Sequence, residues 1–344
     1  MQRLEKLVIP CGVSLVSSMN FIVSNRESTY TMWHEDDEER QEMRETQPAR
    51  DAERSLQPIH DVSRTYREGI SLWKDVNAPI GVFDSGAGGL TILSELRREL
   101  PQENYVYIGD TAHVPYGMRS DEEIVELSLQ ACRFLIRQGV KLIVVACNTA
   151  SQAALGILRA SLPVPFVGVV PAVKPAARAT RNGRIGIAAT EHAANASYLH
   201  HLIEDFATGV QVYATGCPEL VTLVEHGMLD GSLVEETLQH SLRPLLSKQV
   251  DVIVLGCTHF PAMRSAIQRV AGKQVQVIDS GAAVARRMHS VLEAESLVKQ
   301  ASGETRGTHG TLEVWCTGDP NTFSDVASKV LGYPVKVRQA FYKE

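Results

Sequence analysis

The chain has 344 residues, of which 44% are hydrophobic and 22% are charged. This length and composition are typical of a globular protein with two hydrophobic cores and argue against one small domain. The formal net charge of −6 gives no long-range attraction to phosphate backbones or anionic lipid. Nucleic acid and membrane surfaces are therefore disfavoured as partners, and a small molecule is favoured.

The first 77 residues predict an extension that is largely disordered or loosely helical. Charge is dense from Thr31 to Arg67, where large apolar residues are few and follow no regular period. An apolar segment from Leu7 to Val23 contains a proline and several serines, so it is too short and polar to cross a bilayer. A signal peptide is disfavoured for the same reason.

After Pro79 short apolar runs alternate with amphipathic stretches. We predict eight strands, at Ile80–Phe83, Tyr105–Ile108, Leu142–Ala146, Phe166–Val170, Ile185–Ala188, Val210–Ala214, Val252–Leu255 and Val275–Ile278. The helical stretches between them include Thr91–Leu100, Glu122–Gln138, Ala193–Phe206 and Ser232–Leu246. Alternating strands and helices predict an α/β fold with mainly parallel sheets covered by helices on both faces.

The α/β pattern is doubled along the chain. The strand that begins at Ile80 resembles the one at Ile185, and the strand that leads to Cys147 resembles the one that leads to Cys257. We therefore predict two similar domains related by a pseudo-twofold axis. Ligands of open α/β sheets bind beyond the carboxyl ends of the strands, which predicts the two cysteines on opposite walls of one cleft.

Six cysteines lie at positions 11, 132, 147, 217, 257 and 316 without a Cys-x-x-Cys pair. The spacing predicts neither a zinc site nor a redox dithiol, and the low density argues against a disulfide scaffold. We predict reduced thiols in a cytoplasmic protein and no bound metal.

Cys147 and Cys257 each leave an apolar strand and enter a polar turn. Either one alone could be a small core residue, but their repetition in equivalent places favours a functional pair. Inverting an amino-acid α-carbon needs a strong base on one face and a proton donor on the other. A thiolate and a thiol meet this need, so the pattern predicts racemisation without a cofactor.

A glycine-rich turn, Asp84-Ser85-Gly86-Ala87-Gly88-Gly89, follows the first strand. It lacks the spacing of a P-loop and of a dinucleotide fingerprint, so we expect it to receive a carboxylate. Asp84 is predicted beside Cys147, and His259 with Glu225 beside Cys257. Each of these three ionisable residues could instead be a helix cap, a core histidine or a solvated acid.

The chain from Pro79 to Gly332 resembles bacterial glutamate racemase, of the aspartate/glutamate racemase family. Five motifs carry the resemblance: Gly81-Val82-Phe83-Asp84-Ser85-Gly86-x-Gly88-Gly89, Val114-Pro115-Tyr116-Gly117, Val145-Ala146-Cys147-Asn148-Thr149-Ala150, Val167-Gly168-Val169-Val170-Pro171-Ala172 and Leu255-Gly256-Cys257-Thr258-His259-Phe260-Pro261. The resemblance implies interconversion of L-glutamate and D-glutamate without a cofactor, supplying D-glutamate for peptidoglycan.

The resemblance also implies roles for single residues. Cys147 would act on the D-glutamate side with the help of Asp84, and Cys257 on the L-glutamate side with the help of His259 and Glu225. Glu225 is matched only through the looser signature Leu-Val-Glu-x-Gly. The substrate contacts implied are Asp84, Ser85, Tyr116, Gly117, Asn148, Thr149, Thr190, Thr258 and His259.

The resemblance further implies a discontinuous first domain, with residues 1–77 as the extension, 78–168 plus 278–344 as one domain and 169–277 as the other. The long extension departs from the family and leaves Met32 or Met43 as alternative starts of translation. Some relatives are activated by a UDP-muramoyl-alanine nucleotide, some bind DNA gyrase, and homodimers are common. We keep these three properties as expectations to be tested.

Three other functions compete with this interpretation. A racemase of aspartate or another acidic amino acid would keep both cysteines but have a different side-chain pocket. A binding module would hold a dicarboxylate or nucleotide without needing either thiol. A pyridoxal-dependent racemase would need a Schiff-base lysine where this chain has cysteines, which makes it the least favoured.

Overall fold

The computed structural model describes residues 74–299 and 309–342, so the predicted extension lies almost wholly outside the described residues. The described part contains ten strands, which we number in chain order. They are β1 Ile80–Asp84, β2 Tyr105–Gly109, β3 Leu142–Val145, β4 Phe166–Gly168, β5 Arg184–Ala189, β6 Gln211–Gly216, β7 Val252–Leu255, β8 Gln276–Ile278, β9 Leu312–Cys316 and β10 Val337–Gln339.

All strand pairs are parallel, and they form two sheets. The first sheet has the order β10-β9-β2-β1-β3-β4, and the second has the order β6-β5-β7-β8. The order β2-β1-β3-β4 within the first sheet is the same as that of the whole second sheet. The predicted doubling of an α/β unit is thus confirmed, and β9 and β10 are additions at one edge of the first copy.

Helices connect the strands and cover both faces of the sheets. They are α1 Gly89–Glu99, α2 Asp121–Arg137, α3 Asn148–Ser161, α4 Val173–Ala179, α5 Glu191–Asn195, α6 Ser197–Phe206, α7 Pro218–Glu225, α8 Ser232–Leu246, α9 Arg264–Ala271, α10 Gly281–Ala294 and α11 Pro320–Leu331. Short 3₁₀ turns lie at Tyr116–Met118 and Phe260–Met263. Across these elements, no helix is long and apolar enough to cross a membrane.

Two sequence predictions about elements were wrong. The single helix predicted over Ala193–Phe206 is divided into α5 and α6, because Ala196 has an extended backbone, with φ −67° and ψ 139°. Strands β9 and β10 were not predicted. They form the edge of a sheet, where β10 is only three residues long and includes Arg338, so no uninterrupted apolar run marks it.

The first sheet has an apolar core on each face. Buried side chains of α1, α10 and α11 pack on one face, and those of α2 and α3 pack on the other. The start of α2 is defined locally by a capping box, in which Ser120 and Glu123 satisfy each other's backbone N–H groups. This packing holds the carboxyl ends of the strands in place, and the division between the two sheets accords with the predicted domains, whose exact bounds stay a prediction.

Candidate active site

A small, narrow cavity lies between the carboxyl ends of the two sheets. It is lined by Ser85, Pro115, Tyr116, Gly117, Cys147, Asn148, Thr149, Thr190, Val221, Cys257, Thr258 and His259. Ten of these twelve residues were predicted from the sequence. Asp84 and Glu225, the other two predicted residues, are hydrogen-bonded to lining residues.

The two cysteines occupy equivalent positions in the repeated fold. Leu142 pairs with Ile80 in the first sheet and Val252 pairs with Ile185 in the second. Each cysteine follows its paired strand residue by five positions (147 − 142 and 257 − 252). Both are 5% exposed and line the same cavity, so the fold presents one thiol from each sheet.

Cys147 lies at the amino terminus of α3, where its sulfur accepts a hydrogen bond from Ala150 N at 3.5 Å. The Ser85 hydroxyl lies 3.6 Å from the same sulfur. Burial, together with the charge of Asp84, raises the pKa of Cys147 to about 12 against the lowering effect of these hydrogen bonds. The Cys147 thiol is therefore protonated at neutral pH.

Cys257 begins a chain of polar contacts. Its sulfur lies 3.5 Å from His259 Nδ1, and His259 Nε2 lies 2.5 Å from Glu225 Oε1. Burial alone would lower the pKa of His259, but the combined effect of Cys257 and Glu225 holds it well above its ordinary value. The imidazole is therefore cationic at neutral pH, and it lies against the sulfur of Cys257.

The glycine-rich turn contacts a carboxylate group. Ala87 N donates to Glu225 Oε1 at 2.7 Å, so this backbone group is occupied by a carboxylate of the protein itself. The turn thus receives a carboxylate, as its sequence predicted, and this carboxylate belongs to Glu225. A separation of 138 residues between the partners explains why no local pattern indicates the contact.

Asp84 is fully buried at the end of β1. It accepts hydrogen bonds from Gly86 N at 2.9 Å and from the Thr258 hydroxyl at 3.1 Å. Burial raises its pKa, although the charge of His259 opposes the rise. Its influence on Cys147 is electrostatic, while its hydrogen bonds connect β1 to the residue that follows Cys257.

A further contact between the two copies closes the cavity on another side. Thr149 Oγ1 and Thr190 Oγ1 are 3.1 Å apart, and a Cβ atom at Gly117 would lie 2.7 Å from Thr190 Cβ. Tyr116 is buried and donates its hydroxyl hydrogen to Asp110 Oδ2 at 2.7 Å. Glycine at position 117 is therefore required by this close approach.

Sequence reasoning missed two lining residues, Pro115 and Val221. Pro115 lies inside the motif that also contains Tyr116 and Gly117, so the motif itself could have indicated that Pro115 lines the cavity. Val221 is an apolar residue of α7 with the same spacing as its core neighbours, and nothing in its local sequence separates it from them.

The lining groups offer donors and acceptors to a small polar ligand. Asn148 Oδ1 is buried and has no hydrogen-bond partner in the part of the chain that the structure describes. Within the same ranges, no cluster of three or more His, Cys, Asp or Glu side chains could hold a metal ion. The fold and the cavity together are those of an α/β enzyme in which one thiol from each sheet faces the same cavity.

Comparison with known proteins identifies the family. The profile of the Asp/Glu/Hydantoin racemase family matches residues 85–288. The chain is 48% identical over 244 residues to glutamate racemase of Deinococcus radiodurans, covering 70% of this chain and 82% of that protein. It belongs to the Asp/Glu/Hydantoin racemase family and, within it, to the glutamate racemases, which are isomerases.

Solved structures give the same result. Escherichia coli glutamate racemase in complex with L-glutamate and the activator UDP-MurNAc-Ala matches with a TM-score of 0.66 and 36% identity, over 76% of this chain and 97% of that one. Glutamate racemase of Francisella tularensis in complex with D-glutamate also has a TM-score of 0.66, at 29% identity over 78% and 98% of the two chains.

Proposed function

We propose that this chain interconverts L-glutamate and D-glutamate by proton transfer at the α-carbon, with Cys147 and Cys257 as the two bases, and so supplies D-glutamate for peptidoglycan. The observation that carries the proposal is that two thiols, one from each repeated sheet, line a single cavity. The relatives of known structure bind L-glutamate and D-glutamate, which agrees with a reaction that runs in both directions.

The proton balance of the proposed reaction is simple. The Cys257 thiolate removes the α-proton of L-glutamate, and the electron pair of the C–H bond is delocalised into the substrate carboxylate. The Cys147 thiol then donates its proton to the opposite face and gives D-glutamate. The reverse reaction, from D-glutamate to L-glutamate, starts with a thiolate at Cys147 and a thiol at Cys257. Proton exchange with solvent returns the protein to the state with a thiolate at Cys257.

The protonation states of the free protein favour this assignment. The raised pKa of Cys147 keeps that thiol protonated, as the acid must be. The cationic His259, held by Glu225, places a positive charge 3.5 Å from the sulfur of Cys257, the proposed base. The family resemblance assigns each cysteine to the same side of the reaction as this argument does.

The remaining predicted residues are proposed to hold the substrate. The amino terminus of α3, which begins at Asn148, offers N–H groups and a positive dipole end to a carboxylate. Asn148 Oδ1, buried and unpartnered within the described residues, is placed to accept from the substrate ammonium group. Ser85, Tyr116, Gly117, Thr149, Thr190, Thr258, Asp84 and His259 complete the proposed set of contacts.

The alternatives from the sequence can be separated by experiment. An aspartate racemase would turn over aspartate faster than glutamate in the same assay. A pyridoxal-dependent enzyme needs a lysine at the reacting centre, and none of the cavity-lining residues is a lysine.

Solvent isotope exchange tests the two-thiol mechanism directly. The purified protein is incubated with L-glutamate in heavy water without added cofactor, and optical rotation and deuterium at the α-carbon are followed. We expect racemisation with deuterium uptake in the wild type and loss of racemisation in both Cys147→Ser and Cys257→Ser. Cys132→Ser serves as the matched control, because Cys132 is buried in α2 away from the cavity. Full turnover in either active-site variant would exclude the mechanism.

Partners beyond the substrate stay proposals. The Escherichia coli relative was solved with UDP-MurNAc-Ala as its activator, so we propose to run the assay with and without this nucleotide. Homodimerisation and binding to DNA gyrase follow only from the resemblance, and each needs a direct measurement, by sedimentation and by pull-down with purified gyrase.

A further inference from the structure

The segment Gly86–Gly89, here called the glycine loop, joins β1 to α1 and contacts residues that belong to the second sheet's half of the site. Ala87 N donates to Glu225 Oε1 at 2.7 Å. At the start of α1, the Thr91 hydroxyl donates to Thr258 O at 2.9 Å. The loop therefore contacts Glu225, at the far end of the polar chain that begins at Cys257, and the helix that follows the loop contacts the residue after Cys257.

Two glycines in the loop are required by space and not by backbone conformation. A Cβ atom at Gly86 would lie 2.0 Å from Glu225 Oε1, and one at Gly88 would lie 2.5 Å from His259 Nδ1. Gly88 has φ −59° and ψ −42°, which any residue adopts, and Gly86 is absent from the positive-φ glycines of the described chain. Glycine is needed at both positions because the Glu225–His259 pair lies against the loop.

The loop also supplies charge stabilisation. Ala87 directly precedes Gly88, the N-cap residue of α1, so its N–H lies next to the positive end of that helix dipole. Glu225 Oε1 receives this N–H while it contacts His259 Nε2 at 2.5 Å. The contact fixes the direction of the Glu225 carboxylate toward His259, and this carboxylate is one of the groups that raise the pKa of the imidazole.

We propose that the glycine loop positions the Glu225–His259 pair, holding His259 against Cys257 so that the thiolate at Cys257 can act as a base. Gly86, Ala87 and Gly88 are positioning residues in this proposal, because they act through the pair and do not contact the reacting atoms. The inference rests on the proposed function, since it names what positions one of the two bases.

Gly86→Ala is the direct test. The new methyl group displaces the Glu225 carboxylate, and a misplacement of about 1 Å lowers kcat by roughly 10²-fold. We expect this loss in kcat with L-glutamate, with little change in KM. We also expect the His259 imidazole signals in ¹⁵N–¹H NMR spectra to titrate at lower pH than in the wild type. A residue that served only the fold would leave that titration unchanged.

Two other glycines provide matched controls. Gly156 lies on the exposed face of α3, and a Cβ atom there meets nothing within 4 Å, so Gly156→Ala leaves both kcat and the titration unchanged. A Cβ atom at Gly81 would lie 3.1 Å from Leu135 Cδ1, in the core beneath α2. Gly81→Ala therefore lowers stability without moving the His259 titration.

A double-mutant cycle separates the contact from general damage. Glu225→Asp shortens the side chain by one methylene group and withdraws it from the space that the new methyl group of Gly86→Ala would take. We expect Glu225→Asp to reduce kcat less in the Gly86→Ala background than in the wild type. If Gly86→Ala does not fold, Thr91→Val gives a second test, because it removes only the hydrogen bonds of the Thr91 hydroxyl, including the one to Thr258 O. It is expected to shift the same titration in the same direction, by a smaller amount.

The two proposals fail differently. If the wild type does not racemise glutamate, the proposed function is wrong, while the imidazole titration still tests the loop. If the wild type racemises glutamate and Gly86→Ala, or Thr91→Val in its place, matches it in kcat and in the His259 titration, the positioning role of the loop is overturned.

Discussion

The two thiols that face the cavity have unequal surroundings. Cys147 lies beside the hydroxyl of Ser85 and the amino terminus of α3, within reach of the negative charge of Asp84. Cys257 lies beside His259, whose positive charge is maintained by Glu225. In the proposed mechanism these different neighbours make Cys147 the acid and Cys257 the base for L-glutamate.

Asp84→Asn is expected to lower the pKa of Cys147 below about 12, because the variant removes the negative charge that opposes the thiolate. The pH dependence of alkylation by iodoacetamide, resolved by peptide mapping, measures this change. Asp205→Asn, an exposed change in α6, is the control. An unchanged alkylation profile for Cys147 in Asp84→Asn would show that the charge of Asp84 does not act on this thiol.

The first sheet is also tied together at the end opposite the cavity. Lys141, just before β3, is fully buried and donates to Glu103 Oε2 at 2.7 Å, Val76 O at 2.6 Å and Leu297 O at 2.9 Å. The second oxygen of Glu103 accepts from Lys299 N at 2.8 Å. One buried ion pair thus connects the chain before β1, the turn before β2 and the segment after α10.

Lys141→Met is expected to lower the free energy of unfolding by about 3–5 kcal/mol, because it leaves the Glu103 carboxylate buried without its cation. The double variant Lys141→Met/Glu103→Gln removes both charges and should lose less. Urea unfolding of the three proteins measures the difference, and equal losses in the single and double variants would contradict the explanation. Racemisation by the folded fraction is expected to be unchanged, since the pair lies far from the strand ends that bear the thiols.

The fold also buries cysteine side chains that take no part in the proposed reaction. Burial raises the pKa of Cys217 to about 12 and also raises that of Cys132 in α2. Such a thiol keeps its proton in the folded protein at a pH where the unfolded chain has lost it. The buried hydroxyls of Tyr105, Tyr107 and Tyr116, whose pKa values burial also raises, act in the same direction.

The free energy of unfolding is therefore expected to fall as the pH rises above the ordinary thiol value of 9.0 towards about 12. Each buried thiol contributes about 1.4 kcal/mol for every pH unit in that window. Urea unfolding from about pH 8 to about pH 11 measures the slope. Cys132→Ala should have a shallower slope than the wild type, and a free energy that stays constant over this range would contradict the prediction.

The amino-acid sequence by itself determined the α/β class, eight of the ten strands in the described residues, the doubling of the unit and the cysteine after the third strand of each copy. These features are local, because a buried parallel strand is a short apolar run and a covering helix has its own period. The motif around each cysteine is also contiguous in the chain. Nine of the ten lining residues that were named lie in such contiguous motifs, and Thr190 was named only through the family resemblance.

Only the tertiary structure decided which groups meet between the two sheets. Glu225 accepts a hydrogen bond from Ala87 N, and Asp84 accepts one from the Thr258 hydroxyl. Val221 lines the cavity. The tertiary structure also added β9 and β10 to the first sheet by pairing β9 with β2, across roughly two hundred residues of chain. The physical reason is that hydrogen bonds and close approaches between distant segments depend on how the two sheets pack against each other. The residue pattern within either segment alone does not determine that packing.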